Sequence, residues 1–146
     1  SVPRDWIPDE PFMVLATDYI LEENSLLALV EAHHDREADI TMSLKECPLE
    51  ELSNRSSVEV DVEWQIKKIV EKPRVGEILS PYAASILFIF PPSVWEYLHR
   101  VELSPRGEIE LQSAVQSMIE NGYRASGVIQ PAPEEWDPAR HLKPGT

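Results

Sequence analysis

Cysteine occurs once in this chain, at Cys47, and the five glycines are scattered rather than clustered. A lone cysteine excludes a disulfide framework and a cysteine-built metal cluster, which suits a cytoplasmic protein. No apolar run approaches the roughly 20 residues of a membrane-spanning helix. The opening Ser1-Val-Pro-Arg-Asp-Trp6 is mixed and polar, unlike a signal peptide. Positive charge is scarce as well: 13 Lys and Arg stand against 26 Asp and Glu, a net charge of -13. A nucleic-acid binder shows the opposite balance. An anionic small molecule stays compatible, because a site can be locally positive or use a metal. With 146 residues and no internal repeat, the chain has the length of one domain.

What is present begins with Phe12-Met-Val-Leu-Ala-Thr-Asp18. An unbroken apolar run that ends in an acid reads as a strand buried on both faces, as in parallel sheets covered by helices. Ligands of such sheets sit in the crevice beyond the carboxyl ends of the strands, where Asp18 would stand. The plain alternative is that Asp18 only starts a turn. A strand buried on both faces needs neighbours, and few residues precede this one, so the chain reads as part of a larger domain.

Asn24 and Ser25 predict a helix cap, with Leu26, Leu29, Val30 and His33 on one helical face. Ile40 to Leu44 reads as a strand, broken at Cys47-Pro48, and 53–57 as a loop. Val58 to Asp61 and Ile66 to Val70 read as a hairpin, although the link Val62-Glu-Trp-Gln65 lacks the usual Gly or Asn. Ala83 to Phe90 is the second strongly apolar strand, stopped by Pro91-Pro92. Ser93 with Glu96 makes a capping box for a helix bearing Val94, Tyr97, Leu98 and Val101. The clearest helix carries Leu111, Ala114, Val115, Met118 and Ile119 and closes at Asn121-Gly122. Ala125 to Ile129 is a last strand, and about 131–146 is a proline-rich extended tail. Alternating strands and helices give an α/β class. The expectation is a Rossmann-like, mainly parallel sheet with an inserted β-hairpin, in a single unit over 1–146.

Two further places set charge at a strand end or tight turn. Glu71-Lys72-Pro73 puts an acceptor and a cation side by side, suited to a hydroxyl and a phosphate; the plain alternative is a surface ion pair. Arg106-Gly107-Glu108-Ile-Glu110 opens a helix, where acids also occur for dipole reasons alone. His33-His34 do not share a helix face, so a metal pair is disfavoured. Trp6, Trp64, Trp95 and Trp136 are scattered and read as packing residues.

In order and spacing, Val14-Leu-Ala-Thr-Asp18, Ile69-Val-Glu-Lys-Pro73, Phe88-Ile-Phe-Pro-Pro92 and Ser104-Pro-Arg-Gly-Glu-Ile-Glu-Leu111 resemble the sugar nucleotidyltransferases, or nucleoside-diphosphate-sugar pyrophosphorylases. The resemblance runs from about Pro11 to Asp137. It implies transfer of a nucleotidyl group from a nucleoside triphosphate to a sugar 1-phosphate, with Mg²⁺ as cofactor and no nucleic-acid or membrane partner. Homo-oligomerisation, or association with an N-terminal segment, is compatible with it. By the same resemblance Asp18 and Lys72 are catalytic, and Asp18 binds magnesium. Glu71, Lys72, Ile86, Arg106 and Glu108 contact substrate, Glu71 through sugar hydroxyls and Lys72 through the phosphate. Asp137, in Trp136-Asp137, is the nearest match to the family's second metal acid, although the family spaces Trp and Asp by one residue and follows them with Gly.

Three departures stand out. The family's glycine-rich triphosphate loop is not in these 146 residues, Thr17 replaces the glycine before the metal acid, and Ile86 falls where many members have a glycine lining the sugar site. Two rival readings are a non-catalytic sugar-phosphate-sensing or assembly domain, and a phosphoacceptor domain around Asp18. The second lacks the further acids and late lysine it needs. Backbone amides of a glycine-rich loop are the usual cradle for a polyphosphate. We therefore expect purified residues 1–146, given a nucleoside triphosphate and sugar 1-phosphates, to release no pyrophosphate above buffer. A saturable rate would show that another element replaces the loop.

Overall fold

The structure, a computed structural model, describes residues 9–16, 18–100 and 111–142. Arg106, Glu108, Thr17 and Trp6 lie outside the described residues. In chain order the elements are β1 (Phe12–Leu15), α1 (Glu23–Asp35), β2 (Ile40–Glu46), α2 (Leu49–Leu52), β3 (Ser56–Val60) and β4 (Ile66–Glu71). They continue with β5 (Tyr82–Phe90), α3 (Val94–Arg100), α4 (Leu111–Glu120), β6 (Ala125–Ile129) and α5 (Pro138–His141).

One sheet has the order β1-β5-β2-β6, and β3 pairs with β4 in a separate two-stranded sheet. Strand β5 is antiparallel to both β1 and β2, while β2 and β6 are parallel. The α/β class and the inserted hairpin stand. The mainly parallel pairing does not: β1, β2 and β6 run the same way, but β5 lies reversed between β1 and β2, so most pairs are antiparallel. The physical reason is that an apolar run such as Ala83 to Phe90 reports burial on both faces and carries no sign of direction.

The two faces of the sheet bury different partners. Ile40, Met42, Leu44, Phe88 and Phe90 pack against hairpin residues Val58, Ile66 and Ile69 and against Val94, Val115 and Met118 of α3 and α4. On the opposite face Leu87 and Ile89 meet Leu29 of α1. Fully burying a side chain of this kind contributes about 1.5–3 kcal/mol. β1 departs from its expected two-sided burial: Phe12, Met13 and Val14 are half-buried and Leu15 is 40% exposed, as β1 pairs on one side only among the described residues.

Local chemistry explains the other departures. α1 begins at Glu23, with Glu22 as N-cap and no side-chain cap, so Asn24 and Ser25 lie inside its first turn. The Glu22 carbonyl accepts from the amides of Ser25 and Leu26 at 3.1 and 3.2 Å. Leu29 is buried as the helical face requires, whereas Val30 on the same face is 48% exposed. The hairpin turns without glycine because Asp61 Oδ1 accepts from the amides of Glu63 and Gln65, both at 2.9 Å, while Trp64 takes φ 63. Such an Asp side chain mimics a backbone turn. Those amides, Gln65 first, hold the Asp61 carboxyl below its ordinary pKa. Residues 49–52, which carry no helical signal in sequence, form a single turn after Pro48, and β3 begins two residues inside the expected loop. α4 and β6 follow the pattern closely, and Gly122 closes α4 at φ 93, a left-handed conformation that suits glycine.

Packing also sets a limit at Gly127 in β6. A Cβ placed there would come 2.5 Å from Leu44 Cδ1, and Leu44 is fully buried. Overpacking a filled core typically costs about 1–3 kcal/mol. Gly127→Ala should lower the unfolding free energy by about that amount, seen as a lower denaturant midpoint with an unchanged slope. An unaltered midpoint would mean that Leu44 finds another rotamer freely.

Candidate functional site

Because β1, β2 and β6 run the same way, their carboxyl ends share one edge of the sheet, and reversed β5 begins there. Beyond β1 the Ala16 amide donates to the Ile86 carbonyl at 3.1 Å, and Asp18 follows, exposed. The segment leaving β6 runs back along this edge as a strap. The Gln130 amide donates to the Leu44 carbonyl (2.8 Å), the Ile20 amide to the Glu134 carbonyl (2.9 Å) and the Trp136 amide to the Asp18 carbonyl (2.9 Å). Tyr19 and Glu135 form an antiparallel bridge. Gln130 Nε2 donates to the Ser25 carbonyl at 2.8 Å, tying the strap to the first turn of α1. Asp18 and the strap that carries Asp137 are thereby neighbours in space. Asp137 Oδ1 accepts from the Ala139 amide at 2.9 Å and caps the short α5.

Between the strap, α1 and β5 lies a cavity of about 280 Å³. Its lining includes Ile86, Ser85, Ser25, Gln130, Glu22 and Glu134. The β5 side of this wall arises from a register irregularity. Met42 pairs with Phe88 but Leu44 with Ala84, so several β5 residues stand opposite Ser43. Ser43 Oγ, fully buried, accepts from the Leu87 amide at 3.0 Å and so satisfies the interrupted ladder.

Glu71 and Lys72 end β4. Glu71 lies opposite Ser56, whose Oγ accepts from the Ala84 amide at 3.0 Å, and Ala84 is two residues from Ile86 along β5. The Lys72 amide donates to the Arg55 carbonyl at 2.6 Å, and Lys72 takes φ 44 with an exposed side chain. Pro73 disfavours helix at Lys72 and predicts an extended conformation there; the chain adopts the left-handed region instead. That conformation is strained for a side chain with a Cβ, at a cost of about 1–2 kcal/mol. It breaks the strand's alternation between the neighbours Glu71 and Lys72. Asp18, Ile86 and the Asp137 strap therefore gather at one edge, with Glu71 and Lys72 reached through Ser56 and Ala84.

Two further places bear on earlier expectations. His33 Nδ1 lies 2.7 Å from Thr41 Oγ1; burial lowers its pKa, opposed by Asp39. A larger cavity of about 350 Å³ lies at the opposite end of β2 and β6, beside Arg36, Glu63, Gln65 and Arg124. The Arg36 guanidinium there is already engaged, donating to Ser126 Oγ at 2.6 Å and the Gly127 carbonyl at 2.8 Å. Among the described residues no group of three or more His, Cys, Asp or Glu side chains could hold a metal. Magnesium does not require one, since it is usually held by one or two carboxylates completed by water and substrate phosphates. Asp18 and Asp137 supply hard oxygen donors of that kind. No helix among the described residues is long and apolar enough to cross a membrane.

A sheet packed by helices on both faces makes this an α/β domain. The chain belongs to the nucleotidyl transferase family, whose sequence model matches residues 3–137. It is 29% identical over 120 residues to the low-salt glycan biosynthesis nucleotidyltransferase Agl11 of Haloferax volcanii, covering 82% of this chain and 32% of that protein. It is also 29% identical over 122 residues to a UTP–glucose-1-phosphate uridylyltransferase of Bacillus subtilis, covering 80% of this chain and 42% of that one. A crystal structure of UDP-glucose pyrophosphorylase complexed with UDP-glucose superposes with a TM-score of 0.74 at 22% identity, covering 91% of this chain and 52% of that one. That likeness shows the fold. The chain spans less than half the length of these two curated relatives.

Proposed function

We propose that this chain supplies the sugar-phosphate side of a domain that transfers a nucleotidyl group from a nucleoside triphosphate to a sugar 1-phosphate. The observation that carries this reading is the pairing of the Trp136 amide with the Asp18 carbonyl at 2.9 Å, within a family match over residues 3–137. Residues far apart in sequence meet at the one sheet edge where an α/β domain binds its ligand.

In this reaction an oxygen of the sugar phosphate attacks the α-phosphorus in line. The bond from that phosphorus to the β-phosphate oxygen breaks, and pyrophosphate leaves with the electron pair. Such chemistry rests on positioning and charge stabilisation rather than on a protein nucleophile. A magnesium ion, when bound, supplies positive charge beside the reacting phosphates. In our reading Asp18 and Asp137 hold that ion. Lys72 holds the sugar phosphate, Glu71 accepts from sugar hydroxyls, and Ile86 shapes the wall of the sugar cavity. Arg106 and Glu108 keep their substrate-binding assignment by family resemblance.

Two tests follow from these roles, both on the intact protein. Asp18→Asn should abolish magnesium-dependent turnover and weaken Mn²⁺ binding measured by electron paramagnetic resonance, with an unchanged circular dichroism spectrum. Normal turnover in that variant would remove Asp18 from the metal site. Separately, Lys72→Ala should weaken sugar 1-phosphate binding by about 1.5–3 kcal/mol, the usual worth of a hydrogen bond to a charged group. Glu71→Gln should instead alter the preference among epimeric sugar 1-phosphates, followed by calorimetry. Equal losses for every epimer would leave Glu71 without a role in reading the sugar.

A further inference from the structure

The fold brings scarce cations together. Lys45 lies on β2 opposite Ala83, and the next β5 residue, Ala84, donates its amide to Ser56 Oγ at 3.0 Å. Arg55 immediately precedes Ser56, and its carbonyl accepts the Lys72 amide at 2.6 Å. Lys45, Arg55 and Lys72 thus follow one another across β2, β5, β3 and β4 at the edge where β2 ends. The chain has only 13 basic side chains against 26 acidic ones, and three of the 13 are placed here.

Their local partners are few. Among the described residues neither Lys45 nor Lys72 has a carboxylate within ion-pairing distance, and Arg55 has a single exposed contact, 3.9 Å from Glu51. A surface pair of that kind contributes little. Around Lys45 the charged neighbours are Arg55, which repels it, and Glu51 and Glu135, which attract it. Burial, and after it the Arg55 charge, lowers the Lys45 pKa. Holding like charges together costs stability unless an anion is drawn between them.

We propose that Lys45 and Arg55 are binding residues that join Lys72 in holding the phosphate group of the sugar 1-phosphate. The assignment rests on the nucleotidyl-transfer reading for its substrate, but the cationic cluster rests only on the fold. Lys72 alone would anchor the phosphate as a point charge on a flexible stem. Arg55 adds a planar fork that can meet two phosphate oxygens at once. Lys45, half-buried on a central strand, adds a cation held by a rigid element rather than by a loop.

The test is calorimetry of the intact protein with glucose 1-phosphate, free glucose and inorganic phosphate, run on Lys45→Gln, Arg55→Gln and Lys45→Arg. Glucose 1-phosphate and inorganic phosphate should each lose about tenfold in affinity in the two Gln variants, as expected for a lost charged contact. Free glucose should bind unchanged, and Lys45→Arg should retain most of the affinity. Arg55 is exposed, so its variant keeps the test decisive if Lys45→Gln proves unstable to heat. Unchanged phosphate affinity in Arg55→Gln and in a folded Lys45→Gln would overturn the proposal. Tenfold weaker inorganic phosphate binding in the Gln variants, relative to a wild-type protein that binds phosphate but shows no nucleotidyl transfer, would keep the cluster and discard the reaction.

Discussion

Strand β5 is the constraint on which the rest depends. It is hydrogen-bonded to β1 on one side and β2 on the other, and both its faces are covered. Its reversal forces β1 and β2 to finish at the edge where it begins, and β6 follows β2 by parallel pairing. The candidate ligand contacts outside the hairpin descend from that arrangement. Asp18 follows β1, Lys45 lies next to the last residue of β2, Ile86 lies in β5, and the strap bearing Asp137 follows β6. The irregular register against β2 is tolerated because Ser43 Oγ replaces a missing ladder partner at the Leu87 amide. A buried serine in an otherwise apolar strand is therefore the price of widening β5 beside the cavity. An apolar side chain at that position would leave a buried amide unpaired, which costs about 1–3 kcal/mol.

The charge distribution separates what is general from what is local. A net charge of -13 keeps the surface acidic, and the ion pairs seen between described residues, Arg55–Glu51, Lys67–Asp61 and Arg140–Glu134, all lie at exposed or half-exposed groups. Exposed pairs of that kind contribute little to stability, so the fold rests on its apolar layers and backbone ladders. Against an acidic background an anionic ligand is repelled at long range, more weakly as salt screens the field. Recognition must then come from a few cations set close to the ligand. In our proposal the hairpin sets two of them. Arg55 enters β3 and Lys72 leaves β4, and the bond between the Lys72 amide and the Arg55 carbonyl holds those two ends of the hairpin together.

Much of the fold was legible where periodicity or apolarity was strong, as in α4, β6 and the long β5. Strand direction was not, because a buried antiparallel strand and a buried parallel strand have the same composition. The partial exposure of β1 was hidden for a related reason: apolar residues describe the environment a strand suits, not the neighbours present beside it. The hairpin turn escaped a rule based on Gly or Asn, since Asp61 does the same work through its side chain. Of the site, the motif residues Asp18, Glu71, Lys72, Ile86 and Asp137 could be singled out by resemblance. Ser56, Gln130, Lys45 and Arg55 could not. Their relevance comes from register and from contacts between distant segments, and no local pattern encodes either. Gln130 follows a strand and precedes a proline, which is ordinary for a loop; only its bond to the Ser25 carbonyl reveals a tether.

The strap shows why such a site is sensitive to remote parts of the chain. Its path along the sheet edge rests on backbone bonds to Leu44, Ile20 and Asp18 and on one side-chain bond from Gln130. Those partners come from three segments: Leu44 from β2, Asp18 and Ile20 from the loop after β1, and Ser25 from α1. A shift of α1 along the sheet would move Ser25, and with it the strap and Asp137, relative to Asp18. In our reading Asp18 and Asp137 would together hold one magnesium ion, so a change in their separation would weaken that site. The packing of Leu29 against Leu87 and Ile89 therefore does more than bury apolar surface. It holds α1 against the sheet, and through Gln130 it tethers the strap that carries Asp137 to the first turn of α1.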